Sequence, residues 1–249
     1  VKRLWRGGHT PYVLWSGGID STALIGLMIE AGIPAQVISV PFYSISAPRM
    51  AAREARARER IWAEIQRALP AQRRLLYNYM AYDGLDLSAF TAKGEIPRRN
   101  RYLIDYVITR CCGPAGTIGM GEYVGADTWV VQDHVAAADA DTRALVAYLW
   151  HEWGPAYRLL TLSDFGRPAR FKKDRLELGL STMGRKIMGL TTNCLADSAV
   201  HCGLCYKCVE RAVAWHLLGK RDPTRYLKPP RKSHLWPQYL AQQQGSELR

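Results

Sequence analysis

Apolar and polar positions alternate along this chain between two periods, one short and continuous, the other helical. Tyr12-Val13-Leu14-Trp15 is a short apolar run of the kind that forms a buried strand. Ala23, Leu24, Leu27 and Met28 then recur at helical spacing, and Gly32 is placed to stop that helix. A second apolar run, Ala35 to Val40, ends at Pro41 and predicts a second strand. Arg49 to Leu69 predicts a long amphipathic helix with Ile61, Trp62, Ile65 and Leu69 on one side. Arg74 to Tyr79 fits a third strand or a loop. Arg98 to Cys112 predicts a helix closed by Gly113-Pro114, Thr117 to Met120 a strand, Thr142 to Trp153 a helix, and Tyr157 to Leu162 a strand. Arg170 to Leu178 follows as a helix with Gly179 as its stop, and Val209 to Leu218 as another. Strands alternating with helices predict a parallel α/β sheet, which binds ligands at the C-terminal ends of its strands near a switch in strand order.

Composition changes this picture little. The 249 residues suffice for a large core, and 48% hydrophobic with 22% charged residues is an ordinary globular balance. No apolar run approaches membrane-spanning length, and Val1-Lys2-Arg3-Leu4-Trp5-Arg6 has no signal-peptide core behind it. The expectation is a cytoplasmic protein without membrane partners. Six cysteines in such a chain point to metal or core positions before disulfides.

The net charge of +12 is partly local. Arg49, Arg53, Arg56, Arg58 and Arg60 crowd one helix, with Glu54 and Glu59 interleaved, and Lys220 to Arg231 is also basic. The arginine cluster reads as a solvated helix face, the alternative being a nucleic-acid groove. The tail after Pro229-Pro230 reads as poorly ordered.

Chemistry enters first at Ser16-Gly17-Gly18-Ile19-Asp20-Ser21-Thr22, between the first strand and the first helix. Backbone N–H groups and the positive end of the helix dipole converge there, which suits an anion. Gly17 and Gly18 allow a tight turn and close approach of a phosphate, while Ser16, Ser21 and Thr22 add hydroxyls. Asp20 either fixes the turn or helps to place a metal. A bare Ser-Gly-Gly also serves as a packing turn. The spacing fits neither the Gly-x-Gly-x-x-Gly fingerprint nor a Walker-type loop.

A second constellation is Cys194, Cys202, Cys205 and Cys208, the last three separated by two residues each. Four thiolates at this spacing close a tetrahedral shell around one soft divalent ion, with Gly203 easing the turn. The tight knuckle favours structural Zn²⁺; an iron–sulfur cluster is the competing occupant. Cys111 and Cys112, adjacent in an apolar helix, read as core.

Ser-Gly-Gly-x-Asp-Ser after the first strand resembles the PP-loop of the ATP pyrophosphatases. Combined with Cys-x7-Cys-Gly-x-Cys-x-x-Cys near the other end, it resembles the 7-cyano-7-deazaguanine synthases, from Tyr12 to about Gly219. The resemblance implies a Rossmann-like sheet of the adenine nucleotide alpha hydrolase type with helices on both faces. It implies a PP-loop domain over residues 1–180 and a zinc-binding helical region with tail over 181–249, forming one compact unit. It also implies ATP and Mg²⁺ on Ser16, Gly17, Gly18, Asp20, Ser21 and Thr22, and adenylation of a deazaguanine carboxylate. Ammonia then converts the adenylate to amide and nitrile, with AMP and pyrophosphate released. Ile96-Pro97-Arg98-Arg99-Asn100 is similar to a segment beside the nucleotide in that family, and Lys172 to Gly179 to a helix carrying a phosphate ligand. Arg99 and Lys172 are therefore catalytic candidates with Asp20, the plainer readings being a helix-end arginine and a surface lysine.

Departures from that family lie in the middle of the chain. A Gly-Tyr-Pro segment expected near the base is missing from Gly119 to Arg143, although Asp141 and Arg143 are present. Glu122, Asp127 and Asp133 either read a purine-like edge, bind magnesium, or are solvated loop acids; His134 is either an acid–base group or structural. Three functions remain open at this stage: a deazaguanine nitrile or amide synthase, an adenylating enzyme with a protein or nucleic-acid acceptor, and a non-enzymatic binding module. A homodimer and a protein partner are further possibilities.

Overall fold

The computed structural model describes residues 11–39, 47–68, 76–81, 116–120, 147–154, 157–160 and 171–244, with strands 76–81, 116–120 and 157–160 described by their backbone alone. Five strands, β1 (Tyr12–Leu14), β2 (Ala35–Ser39), β3 (Leu76–Ala81), β4 (Gly116–Met120) and β5 (Tyr157–Leu160), form one sheet in the order β3-β2-β1-β4-β5. Every pairing is parallel, with Val13 facing Val37 on one side and Gly119 on the other. The order runs outward from β1 in both directions, so it reverses between β1 and β4. In open parallel α/β sheets, ligands bind beyond the carboxyl ends of the strands at such a reversal. The parallel sheet predicted from the alternating pattern is thus present.

Helix α1 (Ile19–Glu30) follows β1, and ten of its residues are buried. Its apolar positions do not form a single stripe, because it packs between the sheet and another helix, α3 (Lys172–Leu190). Gly26 is the point of closest approach: a Cβ there would lie 2.2 Å from Thr182 Oγ1. Ile19, Leu24, Ile25 and Met28 are fully buried, and each contributes about 1.5–3 kcal/mol by leaving water. Trp215, from α4 (Tyr206–Leu217), belongs to the same cluster as Val13, Trp15 and Leu24, so the C-terminal helices share the core of the sheet.

Three expectations are corrected here. Gly179 does not stop its helix; α3 continues to Leu190, with Met188 occupying the space where a Gly179 Cβ would stand, and Gly184 (φ 79°) makes the only non-helical step inside it. The tail is not loose up to residue 244. A 3₁₀ turn (Pro230–Lys232) leads into α5 (Trp236–Gln244), which packs Tyr239 onto Val209 and Val213. Gln243 is almost fully buried and bonds α3 to α4, accepting from Lys173 N at 3.0 Å and donating to Glu210 O at 3.3 Å.

The third concerns the arginine-rich helix α2 (Pro48–Ala68), which is not simply a solvated face. Arg53 and Arg58 are buried, at 6% and 3% exposure. The predicted helices 98–112 and 142–146, and Cys111 and Cys112, lie outside the described residues; residues 147–153 are helical as expected. No helix among the described residues is long and apolar enough to cross a membrane.

Candidate functional site

The loop after β1 begins where Trp15 N still donates to Ile38 O at 2.7 Å, so the sheet carries the chain up to the turn. Gly17 takes φ +80°, a conformation costly for any residue with a Cβ, and a Cβ there would also press on the Arg58 side chain at 2.9 Å. Gly18 is the N-cap of α1 and offers no side-chain acceptor to the first-turn amides. Those amides and the helix dipole are therefore directed at the loop. Hydrogen bonds within the loop hold its shape: Gly18 N donates to Ser16 Oγ at 3.2 Å, and Ser16 N to Ser21 Oγ at 3.3 Å. From below, Thr192 N donates to Gly17 O at 3.0 Å, so the segment after α3 braces the turn.

Not every loop hydroxyl is available to a ligand. Ser16 is exposed, whereas Ser21 and Thr22 are buried. Thr22 Oγ1 accepts from Trp15 Nε1 at 3.0 Å and so secures the strand to the helix. Thr22 Oγ1 is thus engaged by the strand in this arrangement.

Asp20 lies in the first turn of α1 with its carboxylate turned toward α3. Lys172 Nζ donates to Asp20 Oδ2 at 2.5 Å, and Arg175 Nη1 to Oδ1 at 3.4 Å. On its other side Lys172 meets Glu210 Oε2 of α4 at 3.6 Å. Lys172 and Arg175 are 2% and 1% exposed, so Lys172 is not a surface lysine, and its ammonium is engaged by two carboxylates. Burial pushes the Asp20 carboxyl up, but the combined attraction of Lys172, Arg175 and Lys207 is larger and holds it below the usual carboxylate range. Asp20 and Glu210 thus meet Lys172 and Arg175 in one cluster of opposite charges at the start of α1, with Lys207 adding to the positive field. Arg175 and Glu210 were not singled out from sequence. The visible signals were that Arg175 follows Lys172 by one helical turn and that Glu210 stands two residues after Cys208. Arg99, Glu122, Asp127, Asp133, His134, Asp141 and Arg143 lie outside the described residues.

The four cysteines of the second constellation converge as predicted. Their sulfurs all lie within 4.8 Å of one another, with Cys202 and Cys208 Sγ 4.0 Å apart. A tetrahedral zinc–thiolate shell with bonds of about 2.3 Å requires sulfur separations of about 3.8 Å, so a small contraction would close it. Backbone amides already support the sulfurs: Cys202 N donates to Cys194 Sγ at 3.2 Å and Cys205 N to Cys202 Sγ at 3.3 Å. Hydrogen bonds from Cys205 and Cys208 pull the Cys194 thiol far below its ordinary value, and the contact with Cys194 pushes Cys205 up to about 11. Such crowding favours a divalent cation that stabilises all four as thiolates. The donor set fits a metal ion such as zinc.

Two further devices fix the knuckle. Gly203 (φ +82°) lies so close to the 226–228 strap that a Cβ would fall 1.7 Å from Lys228 O. The strap itself is held by Leu227 N to His201 O at 2.8 Å and Lys228 N to Cys202 O at 3.2 Å. Arg53, reaching from α2, donates to the carbonyls of Cys194, Ala196 (3.1 Å) and Ser198. In turn Asp197 Oδ1 accepts from Met50 N at 2.9 Å near the start of α2. Behind the knuckle, the fully buried Arg211 donates to Thr191 O at 3.0 Å and pairs with Asp222 at 3.2 Å. The loop and the knuckle are therefore connected through α3, α4 and residues 191–192.

No protein-family model matches the chain. Part of it is similar to the 7-cyano-7-deazaguanine synthase of Ruegeria pomeroyi, with 51% identity over 39 residues, 16% of this chain and 17% of that protein. The resemblance is to 7-cyano-7-deazaguanine synthases. The protein of that name from Paracoccus denitrificans is 41% identical over 54 residues, 22% of each chain. That from Rhizobium etli is 37% identical over 59 residues, 24% of this chain and 23% of the other. The matched stretches span less than a quarter of each of these relatives.

Proposed function

We propose that the chain is an ATP-dependent enzyme that adenylates a carboxylate, with 7-carboxy-7-deazaguanine as substrate and ammonia as the second nucleophile. The observation that carries this reading is the glycine loop between β1 and α1, beside the point where the strand order reverses. That order also supports a Rossmann-like sheet of the adenine nucleotide alpha hydrolase type. The shared core supports treating residues 1–180 and 181–249 as two parts of one compact unit.

In the proposed reaction the triphosphate lies on the amides of Gly17 and Gly18 and the first turn of α1, with Mg²⁺ on the phosphates. A carboxylate oxygen attacks the α-phosphorus as the bond to the bridging oxygen of pyrophosphate breaks, giving an acyl-adenylate. Ammonia then adds to the acyl carbon, a proton is lost, and AMP leaves to give the amide. A second activation, of the amide oxygen, and loss of AMP with the two nitrogen protons gives the nitrile. These steps need positioning and charge stabilisation more than proton transfer. Asp20 acts as a positioning residue: anchored by Lys172 and Arg175, it fixes the start of α1 and thereby the loop amides. Lys172 acts from beneath the loop, and Arg99 is assigned to the leaving pyrophosphate. The four cysteines hold a structural Zn²⁺ that anchors α4 and, through Glu210, the cluster under the loop.

Incubation with ATP, ammonium and 7-carboxy-7-deazaguanine, read by mass spectrometry, tests the proposal. AMP and a product lighter than the acid by the change to amide or nitrile are expected. AMP absent with this carboxylate but formed with another acceptor would favour a second reading, an adenylating enzyme that modifies a macromolecule. The shortness of the matched stretches is what keeps that reading open.

A further inference from the structure

A groove of about 770 Å³ runs between α2, the end of α3 and residues 223–225, and none of loop residues 16–22 lines it. Six cationic side chains line it: Arg53, Arg56, Arg60, Arg185, Lys186 and Arg225. Among the described residues, no carboxylate lines it. Glu59, exposed on α2 between Arg56 and Arg60, does not line the groove, and three other nearby acids are paired. Glu54 faces Arg58 at 3.9 Å, Asp222 pairs with Arg211, and Glu64 is shared between Arg67 and Lys186 at 2.5 and 2.9 Å. Arg53 is committed to the knuckle carbonyls, and Arg185 donates to Arg221 O at 3.2 Å. Arg56, Arg60 and Arg225 are exposed and have no ion pair among the described residues.

Arg56 and Arg60 stand about one helical turn apart on α2, and Arg225 lines the same groove from the segment before the strap. Holding like charges together costs free energy unless an anion is drawn in, and a guanidinium matches a phosphate through paired donors. Among the described residues the lining comes from helices and loops, with no sheet strand on which an extended peptide could pair. A chain that carries one charge in each backbone unit needs no such edge. Thr192 separates this groove from the nucleotide loop, for it both lines the groove and braces Gly17.

We propose that this groove binds the phosphodiester backbone of a nucleic acid, by charge and without reading sequence. The site is distinct from the adenylating loop and does not depend on its assignment. Fluorescence anisotropy of the full chain with mixed-sequence labelled single-stranded DNA, duplex DNA and RNA tests it without ATP. Binding of at least one of these is expected, with a log–log salt slope of about −2 to −3 for three phosphate contacts. The Arg56→Glu/Arg60→Glu/Arg225→Glu variant should bind about tenfold or more weaker, and the triple lysine variant should retain most of the affinity. These are exposed residues, so an unchanged melting temperature serves as the folding control. Binding unaffected by the charge reversal would overturn the proposal. So would equal competition by polyglutamate. AMP formation, measured separately on the same variants, reports on the loop.

Discussion

Lys172 and Asp20, 152 positions apart in the chain, meet at 2.5 Å beneath the glycine loop. This contact joins the first turn of α1 to the first turn of α3, and Glu210 extends it to α4 and the knuckle. A buried pair of this kind specifies an arrangement more than it adds stability, but removing Asp20 leaves two buried cations with only part of their compensating charge, Glu210 remaining 3.6 Å from Lys172.

Asp20→Ala should therefore lower unfolding free energy by about 3 kcal/mol, because Lys172 and Arg175 lose their shared acceptor. ATP–pyrophosphate exchange should fall by about 100-fold or more, since the loop amides lose their fixed position. Asp20→Asn, which keeps the shape, should recover part of the stability and little of the exchange. Exchange at the parental rate in Asp20→Ala would contradict the placement of the nucleotide on this loop.

Gly17→Ala separates backbone strain from lost charge. The positive φ and the contact with Arg58 should cost about 1–2 kcal/mol, read as a modest drop in chemical-denaturation midpoint. Exchange activity should fall much more than stability does, because the change stands at the turn on which the proposed reaction lays the triphosphate. Parallel loss of both would point to a purely structural turn.

Cys205→Ser should release the metal and loosen the C-terminal helices, as should a strong chelator acting on the parental protein. Metal content by elemental analysis, expected near one equivalent before and near zero after, checks this. Gly203→Ala should resemble it at a distance of two residues, costing about 2–5 kcal/mol through the clash with Lys228 O and the strained φ. A Gly203→Ala protein with full metal content and unchanged melting would refute the strap geometry.

Acid should destabilise the fold in part through Asp20 and Asp222. Burial raises the Asp222 carboxyl, but Arg211, Tyr226 and Thr224 outweigh it and hold it below the ordinary 3.8. For a carboxyl lowered in the folded state, the unfolded chain takes up protons first as pH falls. Its stabilising contribution is thus complete above about pH 4–5 and is lost as pH falls through 3.8 toward the lowered value. Stability–pH curves of Asp20→Asn and Asp222→Asn should be flatter than the parental curve below pH 4, and identical slopes would exclude this linkage.

The β1 strand, the glycine loop and the start of α1 were legible because they rest on local chemistry: an apolar run, two glycines and an abrupt change of period. The cysteines were legible for the same reason, since spacings of two residues suffice to turn sulfurs toward one centre. Strand β3 was visible only as an ambiguous Tyr-Asn-Tyr, because its neighbour β2 and not its own pattern makes it a strand. Gly179 was misread as a stop since its missing side chain answers to Met188, which only the folded helix brings alongside.

Sequence alone determined two local features of this protein, a glycine loop between a strand and a helix and a four-thiol knuckle, because both are built from residues close together in the chain. Tertiary structure alone decided how charge is distributed around them. It placed Lys172, Arg175 and Glu210 in one buried cluster with Asp20, buried Arg53 and Arg58, and left Arg56 and Arg60 facing a groove. Residues on one helix carry no mark of which charge will meet them across the core, since Coulombic pairing depends on distance in space and the chain encodes that distance only by folding.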